Sequence, residues 1–238
     1  MKKVAANLIL TLVVVGLMIF AIFYLMENSL FELTALSTYY LNKVASYQIT
    51  TLILAFLIVL VTAFQTEFKS ISLFSLCKID GDVVPEPWMG LTKNNKDSWK
   101  KVGFLFTITI SIVTAIIMYF QVLKSGVIQT LTIGVFVLIL LFALINSFVE
   151  EVTFRHTFAS IVEYHNLNPN ISKALSAVIF GAVHYFGVPR GVAGVLLAAF
   201  LGWFLSKSIH ETKGFFWAWL IHFMQDVIIM TSLYLILK

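Results

Sequence analysis

Residues 127–156 read VIQTLTIGVFVLILLFALINSFVEEVTFRH. From 127 to 149 the polar side chains are Gln129, Thr130, Thr132, Asn146 and Ser147, and the run continues into Glu150, Glu151 and Arg155 with no Pro or Gly to end a helix there. About 20 mostly apolar residues are what a membrane-spanning helix needs. An ionised side chain inside such a helix costs about 2.5–3.5 kcal/mol near the bilayer centre unless it is paired or wetted, so it marks a functional site by default. Charge is scarce in the apolar runs of this chain, which makes this cluster the place to look for chemistry.

Working outward, the composition agrees. Hydrophobic residues make up 60% of the 238 and charged residues 12%, and mean hydropathy is +0.95. A soluble domain carries about 25% charge, so the bilayer is the main solvent. The single cysteine, Cys77, excludes an internal disulfide and offers no thiolate cluster for zinc. Net charge is +4, but the lysines are spread over membrane-flanking loops. They read as topology signals, not as a nucleic-acid surface.

The expected fold is all-α: a polytopic transmembrane helix bundle of about seven spans, six to eight being compatible. The runs lie near 4–26, 48–66, 102–122, 127–149, 171–188, 191–207 and 215–237, with 67–77 a further apolar stretch. The first run follows Lys2 and Lys3 but is too long for a signal-peptide core, so it reads as a retained span. The longest polar stretch, 78–101, holds Lys78, Lys93, Lys96, Lys100 and Lys101, with Trp88 and Trp99 placed to seat it at the headgroups. If spans alternate, Lys2, Lys3, the 78–101 loop and the 207–213 turn share one side, against Lys43, Lys124 and Arg190 on the other. That bias predicts a cytoplasmic N-terminus; an odd span count would leave Lys238 outside.

Three short motifs carry chemistry. In Glu150-Glu151-x-x-x-Arg155 the second acid is four residues before the arginine, the favourable order for a helical pair. Glu150 lies about 100° round the helix and is left to face something else. Taken alone, the cluster reads equally well as the start of a loop with a snorkelling arginine. In Phe180-x-x-x-His184 a histidine sits among Phe, Val and Ala, where even its neutral ring needs a partner. In His222-x-x-x-Asp226 two polar groups share one face of an apolar helix; a structural hydrogen bond between helices is the bland alternative.

Together, in this order, the motifs resemble those of the CAAX prenyl protease and bacteriocin-processing (CPBP) family, also called the Abi family: EExxxR, FxxxH, then HxxxN or HxxxD. The resemblance covers the C-terminal half, 126–238, as a catalytic core; 1–125 match only as generic spans around the 78–101 loop. Two departures stand out: His156 where the family usually has glycine after the arginine, and Asp226 where asparagine is commoner. The resemblance implies an intramembrane, metal-independent glutamic endopeptidase. In it Glu150 activates water, His184 helps hold that water, and His222 with residue 226 stabilises the tetrahedral intermediate. Glu151, Arg155 and Phe180 support them. An ionised aspartate cannot donate to an oxyanion, so Asp226 either carries a proton or orients His222; the second is the expectation.

The implied partners are a membrane-embedded or lipidated peptide or protein substrate and the bilayer itself. No cofactor is expected. The nearest rival is a zinc protease using Glu150, His184 and His222 as ligands, although no HExxH pair is present. A non-catalytic bacteriocin-immunity protein or sensor-kinase scaffold is a rival of another class. A proton-coupled transporter would call for inverted repeats, and none is evident. The chain's size and lack of targeting extensions point to a prokaryotic plasma membrane.

Overall fold

The computed structural model describes residues 2–92, 97–126 and 128–236. The readings placed on Lys93, Lys96, Val127 and Lys238 lie outside the described residues. The helices are α1 (Lys2–Glu27), α2 (Tyr39–Gln65), α3 (Trp99–Gln121), α4 (Ile133–Glu151), α5 (Thr157–Tyr164), α6 (Asn170–Val183), α7 (Gly191–Thr212) and α8 (Phe216–Leu235). One π turn, Val152–His156, joins α4 to α5, so that Ile133–Tyr164 runs as one helix of 32 residues. Thr38 and Thr132 start α2 and α4 by accepting from the backbone N–H of Leu41 and Val135, satisfying donors that a helix start leaves open.

Among the described residues six helices are long and apolar enough to cross a bilayer. The run expected at 171–188 instead forms α6, whose 14 residues extend only about 20 Å. The apolar stretch at 67–77 does not span either: it contains a short 3₁₀ helix, Lys69–Phe74, folded beneath the bundle.

Side-chain contacts sort the helix ends into two groups. At one, called proximal here, Lys3 bonds Glu67 and Tyr164, Asn7 bonds Gln65 O, and Lys213 bonds Glu163. At the other, distal, Gln129 donates to Tyr234 O, and Arg190 N donates to Gln121. The expected lysine grouping follows these ends.

The proximal end is closed by 69–92. Phe215 N donates to Ser75 O at 2.9 Å, and Trp217 Nε1 to Ile79 O at 2.7 Å. Lys207, wholly buried, reaches Glu211 at 2.5 Å and Val84 O at 2.6 Å. Glu86 accepts from Lys173 at 2.7 Å and from Trp203 Nε1 at 2.6 Å. Burial pushes the Glu86 carboxyl up, but those two hydrogen bonds and the Lys207 charge outweigh it and hold the group below its ordinary value. Trp99 is not a headgroup anchor as expected: it is fully buried, donates to Glu211 at 2.9 Å and packs on Phe204. Trp88 alone of the pair is exposed.

Glu150, His184 and His222 line one cavity, and two features bring them to one level. The helix through Glu150 continues to Tyr164, and α8 begins inside the bundle, because Phe215 packs against His156 and not at the level of Tyr164. Helices α6 and α7 also pack closely: a Cβ on Gly202 would lie 2.7 Å from Ser176 O, so only glycine permits that approach.

Candidate active site

The site is built around the π turn that follows the two glutamates. A π turn admits one extra residue and leaves helix carbonyls needing other partners. Hydroxyls supply them: Thr157 Oγ1 donates to Val152 O at 2.7 Å, and Ser176 Oγ of α6 to Phe154 O at 2.6 Å. The turn thus ties the acid-bearing helix to the helix that carries His184.

Glu151 and Arg155 are both completely buried and paired, Nη1 to Oε1 3.1 Å. No guanidinium N–H makes a hydrogen bond among the described residues. Instead the guanidinium lies over the Phe180 ring, 3.7 Å from its centre, a cation–π contact strengthened by burial. Phe180 also touches His184 and His222, with ring centres 4.1 and 5.7 Å apart. It is the common wall of the cluster.

His222 Nδ1 donates to Glu151 Oε1 at 2.6 Å. Its Nε2 faces Glu150 Oε2 at 3.4 Å and Asp226 Oδ1 at 3.7 Å. The expectation that Asp226 orients this ring is therefore corrected: Asp226 is beyond hydrogen-bond range, and Glu151 holds the ring from across the bundle. Sharing a helical face brings Asp226 near the outer nitrogen, but only a group on α4 reaches the inner one.

Asp226 has a different partner. Asn146 Nδ2 lies 3.0 Å from Glu150 Oε1 and 3.1 Å from Asp226 Oδ2, bridging the two acids. Sequence reasoning noted Asn146 as a polar residue but gave it no role. Its spacing, four before Glu150, was the available signal. His184 Nδ1 bonds Phe180 O at 2.9 Å, which leaves Nε2 as the ring's free acceptor. Tyr47 of α2 and Gln225 of α8 also line the site and were not anticipated.

These groups form the polar floor of a cavity of about 780 Å³ that takes in Asn146, Glu150, His184, His222 and Asp226. Its walls are mostly apolar, with Ile22, Phe23, Leu201 and Met230 among them. His156, where the family usually has glycine, is not in this cavity. It is buried behind the π turn, stacked on Phe74 at 3.8 Å and bonded to Ser70 O at 3.1 Å. The ring fastens the 3₁₀ helix to the helix that carries Glu150.

Residues 132–228 match the family model of type II CAAX prenyl endopeptidase, Rce1-like. Over that stretch the chain is similar to the CAAX prenyl protease (CPBP) family. That is a family of membrane endopeptidases, and the six apolar helices agree with a multi-pass membrane protein. The matched segment contains all seven residues of the three motifs, and Asn146 with them. No curated protein and no solved structure matches the chain.

Proposed function

We propose that this chain is a CPBP-type, metal-independent glutamic endopeptidase acting on a peptide bond of a membrane-associated substrate. The observation that carries the reading is the division of labour between adjacent acids. Glu151 is committed to Arg155 and His222, whereas Glu150 faces the cavity, held by one amide hydrogen bond. Such an arrangement supports one structural and one reactive carboxylate.

In the proposed reaction Glu150 takes a proton from a water held with the help of His184 Nε2. The water oxygen bonds to the scissile carbonyl carbon as Glu150 Oε2 hands that proton to His222 Nε2, 3.4 Å away; the ring, now charged and balanced by Glu151 through Nδ1, turns its Nε2–H to the oxyanion. Collapse breaks the C–N bond, and the same proton returns through Glu150 to the leaving amine. Residues 126–238 carry this chemistry, and 1–125 supply part of the cavity wall. The lysine-rich proximal end supports a cytoplasmic N-terminus in a prokaryotic plasma membrane.

Purified protein, with and without a chelator, tested on membrane-anchored and prenylated peptides alongside Glu150→Gln, decides the matter. Cleavage lost only in the variant supports the glutamic reading. Cleavage lost with chelator, and restored by zinc, moves the site to a metal mechanism. Absence of cleavage by folded wild type across the panel favours the immunity or scaffold role.

Two variants separate the roles of the bridged acids. Asp226→Asn is expected to keep activity within a fewfold of wild type, because the new side chain still offers an oxygen to Asn146 and adds an amide donor to the cavity. A loss beyond tenfold in folded protein means that the negative charge itself is required. Asn146→Ala is expected to lower kcat about ten- to a hundredfold with little change in KM, the range set by losing hydrogen bonds to charged groups. Rescue by Asn146→Gln, or a change confined to KM, would point away from positioning of Glu150.

A further inference from the structure

The cavity extends from the acids to the distal end of the molecule. Where it meets α1 it is lined by residues from Ile19 to Glu27, the distal part of that helix, and on α2 by residues from Tyr40 to Gln48, again the distal part. The link between α6 and α7 contributes Phe186 to Pro189, and α8 contributes from His222 to Leu233. Glu27 and Lys43 both line it near the distal ends of their helices. Phe186 in the same region is 77% exposed.

Below the acids the packing is shut. Every residue from 151 to 162 is no more than 2% exposed, and 204–209 of α7 are at 0%. Beneath them lie the 3₁₀ helix, fastened by His156, and the Glu86–Lys173–Lys207–Glu211 ion cluster. A peptide arriving from the proximal end would have to break that buried network, where removing one partner of a buried pair costs about 3–5 kcal/mol. A peptide arriving from the distal end meets an apolar channel.

Charge orients these ends in the membrane. Among the described residues the proximal end holds Lys2, Lys3, Lys69, Lys78, Lys100, Lys101, Lys173, Lys207 and Lys213, and the distal end Lys43, Lys124 and Arg190. Positive charge retained in the cytoplasm makes the distal end extracytoplasmic.

We infer that the site is loaded from the distal, extracytoplasmic side, and that its substrate class is the apolar, membrane-anchored end of an exported peptide or protein. The entry path stands on packing and its side of the membrane on the lysine distribution; the substrate class rests on the protease reading above. Glu150 is 17 residues from Ile133, about 25 Å along the helix. An extended segment of about seven or eight residues covers that depth, so cleavage falls inside the anchor and not at an exposed loop. The near-neutral mouth, one acid and one base, suits an apolar chain better than a charged tail.

The lone cysteine makes the test direct, since Cys77 is exposed at the proximal end. Intact spheroplasts are treated with a membrane-impermeant sulfonated maleimide, using wild type and, on a Cys77→Ser background, Lys43→Cys and the cavity variant Leu197→Cys. The expected result is labelling of both introduced cysteines in intact cells, at least tenfold above Cys77, which reacts only after permeabilisation. If Leu197→Cys reacts only after permeabilisation, or not at all, the distal entry path is overturned.

Substrate class is read separately in proteoliposomes sorted by Cys77 accessibility, with a palmitoylated fluorogenic decapeptide added outside. At least tenfold faster cleavage with the distal face outward is expected. Equal rates in both orientations, or faster cleavage with the proximal face outward, overturn the assignment. Labelling as expected with no cleavage in either orientation overturns the substrate class together with the protease reading, and leaves the entry path standing.

Discussion

Glu150→Gln is expected to reduce kcat about a thousandfold, inside the range of about 10²–10⁴ that a general base contributes. The substitution is nearly isosteric, and the new amide oxygen can still accept from Asn146, which now bonds Glu150 Oε1 at 3.0 Å. The cavity keeps its shape, so KM should move less than threefold. What disappears is the basic carboxylate that takes the proton from water. Thermal stability should hold or rise, because Glu150 and Asp226 no longer oppose each other across one amide. Measured kcat, KM and the unfolding midpoint in detergent distinguish the outcomes. Activity above a tenth of wild type removes Glu150 from the role of base; equal loss of kcat and folded fraction would mean a structural role instead.

That experiment bears on a residue legible from the chain alone, and the reason is local. Glu151 and Arg155, Phe180 and His184, and His222 and Asp226 each stand four apart, so helical periodicity puts each pair on one face before any tertiary contact is known. The apolar runs likewise mark the bundle, because a spanning segment has to be continuous. The features missed are contacts between elements. His222 is held by Glu151, 71 positions away, and Asn146 reaches Asp226 across 80; spacing within a helix says nothing of either. Nor does periodicity announce the π turn at Val152–His156, whose freed carbonyls are met by Thr157 nearby and Ser176 on another helix. The short α6 was counted as a span because hydropathy does not register that the chain breaks at His184. His156, noted only as a departure from the family, proves to be a fastener because Phe74 and Ser70 happen to fold beneath it.

Arg155→Leu is expected to be the most destabilising single substitution in the site, by about 3–5 kcal/mol. Leucine fills the space over Phe180 but leaves Glu151 buried at 0% exposure with no cation beside it. The penalty is the uncompensated carboxylate, not the lost stacking, since among the described residues Arg155 makes no hydrogen bond that the change would remove. The double variant Arg155→Leu/Glu151→Gln tests that attribution. A glutamine at 151 still offers an amide oxygen to His222 Nδ1 while carrying no charge, so stability should recover to within about 1 kcal/mol of wild type, as replacements of whole buried pairs commonly do. Catalysis should not recover with it. The charged imidazole that forms at the oxyanion step would have lost the carboxylate that balances it, and kcat should stay at least a hundredfold down, a loss of about 2.7 kcal/mol in transition-state stabilisation. Denaturation in detergent measured beside kcat for the three proteins separates the effects. If Arg155→Leu unfolds within 1 kcal/mol of wild type, the buried pair does not hold this site together; if the double variant regains both stability and turnover, the pair is scaffold alone and His222 works without it.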